Sequence, residues 1–459
     1  MQQFYLHNKI KIKMNYRRIT GFLLVSILTL TPFLFSGCGD KGTVIPYKLT
    51  LEIWGVFDDS GNFADINTGY IGSNPRVEKV IYKKIASNPR EFEKELIDAF
   101  ASGNGPDAFY FSNSWLKKHE NKIAAMPNSE SFLTKHKNDF VDVVSQDFFK
   151  EGEVFALPLY CDTLALYYNK HSLNQAGITA PPKTWDEVKK QTKALTKIDE
   201  FGNITQSAIA LGRSKAPGAI NRSSDILILM MLQNGANLSN RDSIDFSASD
   251  TSVDPGVNAL DFYTQFAKAD LDVYTWSNKM HYSDDAFQDG EVAMIIGYPY
   301  KYDQLKKSAP KLNFEIAPVP QLNLDNKVNF ANYWGLAVAK SKNIPADARY
   351  TNKDRVSEAW KYISFLTTKS AGSGNDPTKI YLDRTNKIAA RKDLIEEQKK
   401  EAFRGLFAEQ ALTAKSWVVP DEVAADDILA DAIDEVSGGE SSVKDALDRA
   451  AARLKAIWK

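Results

Sequence analysis

"PREFEKELIDAFASGNGPDAFYFSN", residues 89–113, passes from helix to strand within one short stretch, and that passage decides the fold class. Phe92, Leu96 and Phe100 recur every four residues, which is one apolar face of an amphipathic helix, and Gly103 and Gly105 end it. "DAFYFSN" (107–113) then reads as a strand. Upstream, "LTLEIWGVF" (49–57) and "VEKVIYKKI" (77–85) are apolar and β-branched enough for two more. Strands alternating with helices predict an α/β domain on a mainly parallel sheet.

Downstream a second set of elements begins. "VFALPLYCDTLALYYNK" (154–170) is a long extended segment interrupted by Pro158, and Thr184 can cap the helix "WDEVKKQTKALTK" (185–197). "SSDILILMMLQNGA" (223–236) holds seven consecutive apolar residues between a cap-like Ser-Asp start and Gly235. That predicts a helix buried nearly all round and far too short to span a membrane. "EVAMIIGY" (291–298) and "YWGLAVAK" (333–340) are strands, and the chain from 355 onward is mostly helical. In the last helix Val443, Leu447, Leu454 and Trp458 share one face. By contrast, "DDSGNFADINTGYIGSNP" (58–75) is glycine-rich and only weakly helical.

The N-terminus has another character. Lys9, Lys11, Lys13, Arg17 and Arg18 precede an apolar run from Ile19 to Phe35, and Ser36-Gly37-Cys38 follows. A positive start, an apolar middle and a small-residue cut site make a secretory signal. The cysteine adds a likeness to the lipobox of bacterial lipoproteins, in which that cysteine is acylated and anchors an otherwise soluble chain. Phe35 stands where leucine is usual. Met14 offers a more ordinary signal start than Met1. Residues 1–37 are therefore read as a signal and 38–48 as a tether.

Removing residues 1–37 takes five positive charges and no acids from a chain of formal net charge −1. The mildly acidic remainder has no basic block and argues against nucleic acid as a partner. Its length predicts two domains or three. With Cys38 lipidated, Cys161 stands alone, so no intrachain disulfide is expected, and it reads as a small, partly buried residue. His7, His119, His136, His171 and His281 are scattered without metal-ligand spacing, so no metal is expected. Phosphate-cradling glycine motifs and a GxSxG elbow are missing, so the sequence supports neither a cofactor nor catalysis.

Aromatic residues at strand ends are the informative feature. Trp54 and Phe111 close strands, Tyr298 and Tyr300 follow "VAMII", Trp334 opens a strand, and Trp417 follows a helix. Ligands of open α/β sheets bind outside the carboxyl ends of strands, where such rings offer flat platforms. Aromatic faces with Asp and Asn at their edges suit sugars, whose C–H face and hydroxyl rim they match.

With those residues in view, the chain resembles the family 1 extracellular solute-binding proteins, the sugar-type receptors of ABC importers. "ASGNGPDAF" (101–109) is similar to a family signature, and "LPLYCDTLALYYNKHSLNQAGITAPPKTWDEV" (157–188) to its longest motif. "AFQDGEVAMIIGYP", "FEIAPVP", "YWGLAVAKSKN", "AWKYISFLTT" and "KIAARKDL" continue the series in family order. The resemblance implies a type II periplasmic-binding-protein-like fold: two α/β lobes, each with a mainly parallel sheet, closing over a ligand. It assigns 49–157 plus 288–338 to lobe 1 and 158–287 plus 339–459 to lobe 2. It implies a monomeric carbohydrate receptor, lipid-anchored outside the cytoplasmic membrane, that serves a permease. By motif, Tyr160 and Asp162 stand at the ligand, joined by Phe111, Ser112, Asn113, Tyr298, Tyr300, Trp417, Trp54 and Trp334. A receptor for a non-sugar solute, a glycan-binding surface lipoprotein and a glycoside hydrolase remain the alternatives. Tyr167-Tyr168, a vicinal pair of the kind that binds ferric ion, reads better as strand residues on opposite faces.

Overall fold

The computed structural model describes residues 47–238, 244, 246, 254–369 and 375–458. The apolar leader and Cys38 lie outside these residues. Among the described residues no helix is long and apolar enough to cross a membrane.

Two sheets organise the chain. In the first, Leu49–Gly55 lies between Val77–Lys84 and Ala108–Ser112, all parallel, and Trp334–Ala339 pairs antiparallel with Ala108–Ser112. Trp334–Ala339 also pairs with Ile123–Ala124 and Leu157–Pro158. In the second, Ala165–Asn169 lies between Phe314–Pro318 and Val292–Gly297, antiparallel to both, and Ile204–Ile209 runs parallel beyond. Both sheets are thus mixed, which corrects the mainly parallel expectation. Each takes in a strand from a returning segment that runs against its neighbours. The pairing also departs from the expected division of the chain. Val292–Gly297 and Phe314–Pro318, read with the first lobe, pair into the second sheet, and Asn352–Thr367, read with the second lobe, packs on Trp334–Ala339 of the first.

Local chemistry explains the elements. Asn88 accepts the backbone N–H of Glu91 at 2.9 Å, Pro89 opens the helix Pro89–Ala101, and Gly103 follows in the left-handed region at φ +73°. Thr184 caps Trp185–Leu195 through the N–H of Glu187, as the sequence predicts. Ser223–Gln233 is buried along Ser223–Leu232, although its cap residue is Arg222, at φ 61°, rather than serine. The glycine-rich stretch after the first strand folds into a 3-10 turn and a helix over Ala64–Ser73. Phe63, Ile66 and Tyr70 bury one side of it, and Tyr70 meets Tyr362 edge-on at 5.1 Å. Tertiary burial outweighs propensity there, at roughly 1.5 to 3 kcal/mol for each large side chain taken from water.

Buried side chains form two clusters. One gathers around Leu51, Ile53, Phe109, Phe111 and Leu336, and the other around Leu166, Ile209, Leu229, Met294 and Ile433. Cys161 is fully buried, more so than the partly buried residue its sequence context predicts.

Candidate functional site

A cavity of about 700 Å³ is lined from both sheets. The first sheet brings Phe57, which follows the strand Leu49–Gly55, and Trp334. The second brings Tyr298 and Tyr300, which follow Val292–Gly297. Tyr160 and Asp162 line it from the extended segment that leads from one sheet to the other, where Tyr160 bridges Ala389. Arg90, Lys118, Arg222, Asn332, Lys387, Glu422 and Asp426 are among its polar lining, and Trp115 lies beside Trp334 at 4.9 Å.

Its aromatic rings differ in what they offer. Phe57 is 41% exposed and Tyr300 47%, whereas Tyr160 and Tyr298 are each 3% exposed. Phe57 meets the Trp334 ring edge-on at 5.3 Å, and Tyr300 stacks beside Tyr298 at 6.3 Å. Two exposed rings, one from each sheet, therefore flank the space.

Each polar wall carries its own charges. Around Tyr160, the Lys387 ammonium lies 3.9 Å from the ring centroid, donates to Tyr381 Oη at 2.9 Å and pairs with Asp58 at 3.4 Å. One oxygen of Asp162, Oδ1, is buried with no hydrogen-bond partner among the described residues. Burial pushes its carboxyl up to about 7; Lys387 opposes the shift and Asp58 adds to it. On the opposite wall Tyr298 Oη donates to Asp225 Oδ2 at 2.9 Å, and Arg222 lies over the Tyr298 ring at 5.4 Å and 3.7 Å from Asp225. Glu422 accepts from Asn332 Nδ2 at 2.9 Å and from Ser114 Oγ at 3.0 Å.

Of the residues singled out in the sequence, Tyr160, Asp162, Tyr298, Tyr300 and Trp334 meet at this cavity. Phe111 does not: it is fully buried, with Phe109, Trp115 and Phe148 around it. Trp54 lies on the far side of its strand from Leu51 and Ile53, and its indole N–H donates to Glu52 at 2.5 Å. Ser112 and Asn113 stand behind the wall, where Ser112 Oγ reaches Glu422 at 3.5 Å and Asn113 Nδ2 donates to Asp147 at 3.2 Å. Trp417 is 6% exposed in the second core cluster and touches only a small side cavity of about 20 Å³.

The sequence reading missed Phe57, Arg222, Lys387, Glu422 and Asp426. Phe57 had a local signal, since it too follows a strand end, and Lys387 opens the motif "KIAARKDL"; the others come from loops and helix starts that only the tertiary fold brings together. Metal donors group elsewhere, at an exposed corner. There His281, Asp289 and Glu291 hold ligand atoms within 4.8 Å of one another. The cavity itself combines ring faces, carboxylate acceptors and amide donors, which suits a neutral or partly charged polar ligand with an apolar face.

Comparison with known proteins agrees with this arrangement. Residues 92–373 match a family described as bacterial extracellular solute-binding protein. A putative binding protein of Brucella abortus is 23% identical over 374 residues, 80% of this chain and 83% of that one. The maltodextrin-binding protein MdxE of Bacillus subtilis is 26% identical over 394 residues, 81% of each chain. The solved sugar-binding protein MalE of Xanthomonas citri aligns with a TM-score of 0.67 at 18% identity, covering 89% of this chain and 97% of that one. The fold is that of the type II periplasmic binding proteins.

Proposed function

We propose that this chain, which belongs to the bacterial extracellular solute-binding protein family, captures a carbohydrate in the cavity between its two sheets and delivers it to an ABC permease. The single observation that carries the reading is the pairing of exposed rings from the two sheets, Phe57 and Tyr300, across a cavity walled with carboxylates and amides. Rings stack on the C–H face of a sugar, and Asp162, Glu422 and Asn332 meet its hydroxyls.

A receptor of this kind works by population shift. Ligand bridges both walls only when they are close, so it favours closure by its differential affinity for that state. A dissociation constant of ~1 μM supplies roughly 8 kcal/mol, enough to offset a closure cost of a few kcal/mol. Binding without turnover is part of the reading, as are a monomeric state and anchorage through Cys38 on the outer face of the cytoplasmic membrane.

The test is a thermal-shift and calorimetric screen of the mature chain against mono- and oligosaccharides. The expected result is stabilisation of about 2 to 3 kcal/mol at a hundredfold excess over the dissociation constant, with no new reducing ends on incubation. Glycan cleavage would replace the receptor with a hydrolase. Stabilisation only by peptides or ferric ion would remove the carbohydrate class. For the anchor, Cys38→Ser is expected to leave an unprocessed or soluble species, and normal membrane fractionation of that variant would rule the lipid out.

A further inference from the structure

The two polar walls of the cavity are not alike in charge. On the Tyr160 side cations are plentiful: Lys387 lies 3.4 Å from Asp58, Lys118 lies 2.8 Å from Glu93, and Arg90 also lines the cavity. On the other side, Asp225, Glu422 and Asp426 surround a single guanidinium, that of Arg222. Two of these acids have work in the fold. Asp225 accepts from Tyr298, and Glu422, the first residue of the helix Glu422–Ser437, accepts from Asn332 and Ser114. Asp426 lies one turn further along that helix, beyond the first-turn positions where an acid offsets the helix dipole. Its carboxylate lines both the main cavity and the small side cavity, and among the described residues nothing donates a hydrogen bond to it. The half-exposed Tyr300 ring lines the cavity as well, with the chain's own Lys301 Nζ 5.6 Å from its centroid.

We infer that this end of the cavity is a subsite for a positively charged nitrogen on the ligand, received by Asp426 and the Tyr300 face, and that the carbohydrate bound here is an amino sugar. The inference rests on the reading of the cavity as the receptor's ligand site. A ring beside a carboxylate is the chemistry that holds ammonium groups. The chain already uses it in this cavity, since its own Arg222 sits over Tyr298 and beside Asp225, and Lys387 over Tyr160 and beside Asp58. One cation leaves three carboxylates undercompensated. Burial, then the charges of Asp225 and Glu422, push the Asp426 carboxyl up to about 8 against the pull of Arg222. A carboxyl raised in this way holds a proton, and a ligand ammonium would take that proton's place.

The experiment uses the mature chain at pH 7 and paired probes that differ at one substituent: glucosamine against glucose, galactosamine against galactose, and β-1,4-linked diglucosamine against cellobiose. Choline and spermidine serve as sugar-free cations. In at least one pair the aminated member is expected to bind about tenfold tighter, the ratio one charge-assisted hydrogen bond brings. Asp426→Asn should abolish most of that preference, and Glu422→Gln, which removes the same charge from a neighbouring position, should reduce it. The melting temperature of each ligand-free variant reports whether it is folded. Equal binding of both members overturns the subsite and leaves the carbohydrate receptor standing, as does a preference that Asp426→Asn leaves untouched. Binding of choline or spermidine alone, lost in Asp426→Asn, keeps the subsite and removes the carbohydrate class. No response to any probe overturns both.

Discussion

The segment 157–169 and the segment 411–426 both carry residues singled out at the ligand, and they fared differently. In the first, an extended chain runs between the sheets with Tyr160 and Asp162 on the cavity and Cys161 turned away into the core. In the second, Trp417 turns into the core, and the helix start five residues further on brings Glu422 to the cavity in its stead. The difference is one of period. A two-residue alternation fixes which side chains face out once one of them is known, whereas a turn between helices leaves the facing open until the helices are packed.

The sharpest way to break this comparison is Trp417→Ala. As a core residue its truncation should cost about 3 to 5 kcal/mol of ligand-free stability, read by chemical denaturation. Melting unchanged and affinity lost would return Trp417 to the ligand and erase the contrast.

Asp162→Asn comes next, and here the sign runs the other way. The folded carboxyl titrates near 7, while in the unfolded chain it ionises from about pH 4. Between those values the folded state holds the extra proton, so its stability falls as pH rises and the loss is complete above about 7. The asparagine variant should therefore be more stable than the parent at pH 8, by about 4 kcal/mol, and gain almost nothing at pH 3.5. It should also bind glycans more weakly. A variant less stable than the parent at pH 8 would mean that Asp162 is satisfied in a way its unpartnered oxygen does not suggest.

Phe57→Ala should leave melting nearly unchanged and weaken glycan binding by about 1 to 2 kcal/mol, measured by calorimetry, because the ring is already exposed without ligand. A large drop in melting temperature would assign Phe57 to the core with Phe111. Smallest of all, Trp54→Ala should shift affinity by less than about 0.5 kcal/mol, since its indole serves Glu52 outside the cavity. A tenfold loss would extend the site across the strand.

What the sequence made legible follows the same line. The helix Pro89–Ala101, its glycine stop and the strand after it could be read from local pattern because cap, period and stop are local. The helix after the first strand was obscure: Gly61, Gly69 and Gly72 weaken its propensity, and Phe63 and Tyr70 find their partners at residues 82, 362 and 381. Strand order was obscure for a similar reason. Nothing in "EVAMIIGY" says that it joins Ala165–Asn169 rather than the first sheet, since both offer an apolar edge. Arg222 and Asp426 lie outside every quoted motif, so only the folded chain brings them to the cavity.

The strand Trp334–Ala339 has a consequence for the order in which the chain can fold. It pairs with Ala108–Ser112, Ile123–Ala124 and Leu157–Pro158, so three early segments wait on one late strand. Until it arrives, about 220 residues after the strand it covers, one edge of Ala108–Ser112 has no partner and the first sheet stays open. Closing so long a loop is slow, and a chain emerging from the ribosome cannot complete its first core before three quarters of it exist. The outcome is a polypeptide that remains unfolded for a long interval, which is the state in which a chain must be kept to be threaded through a membrane and folded on the far side.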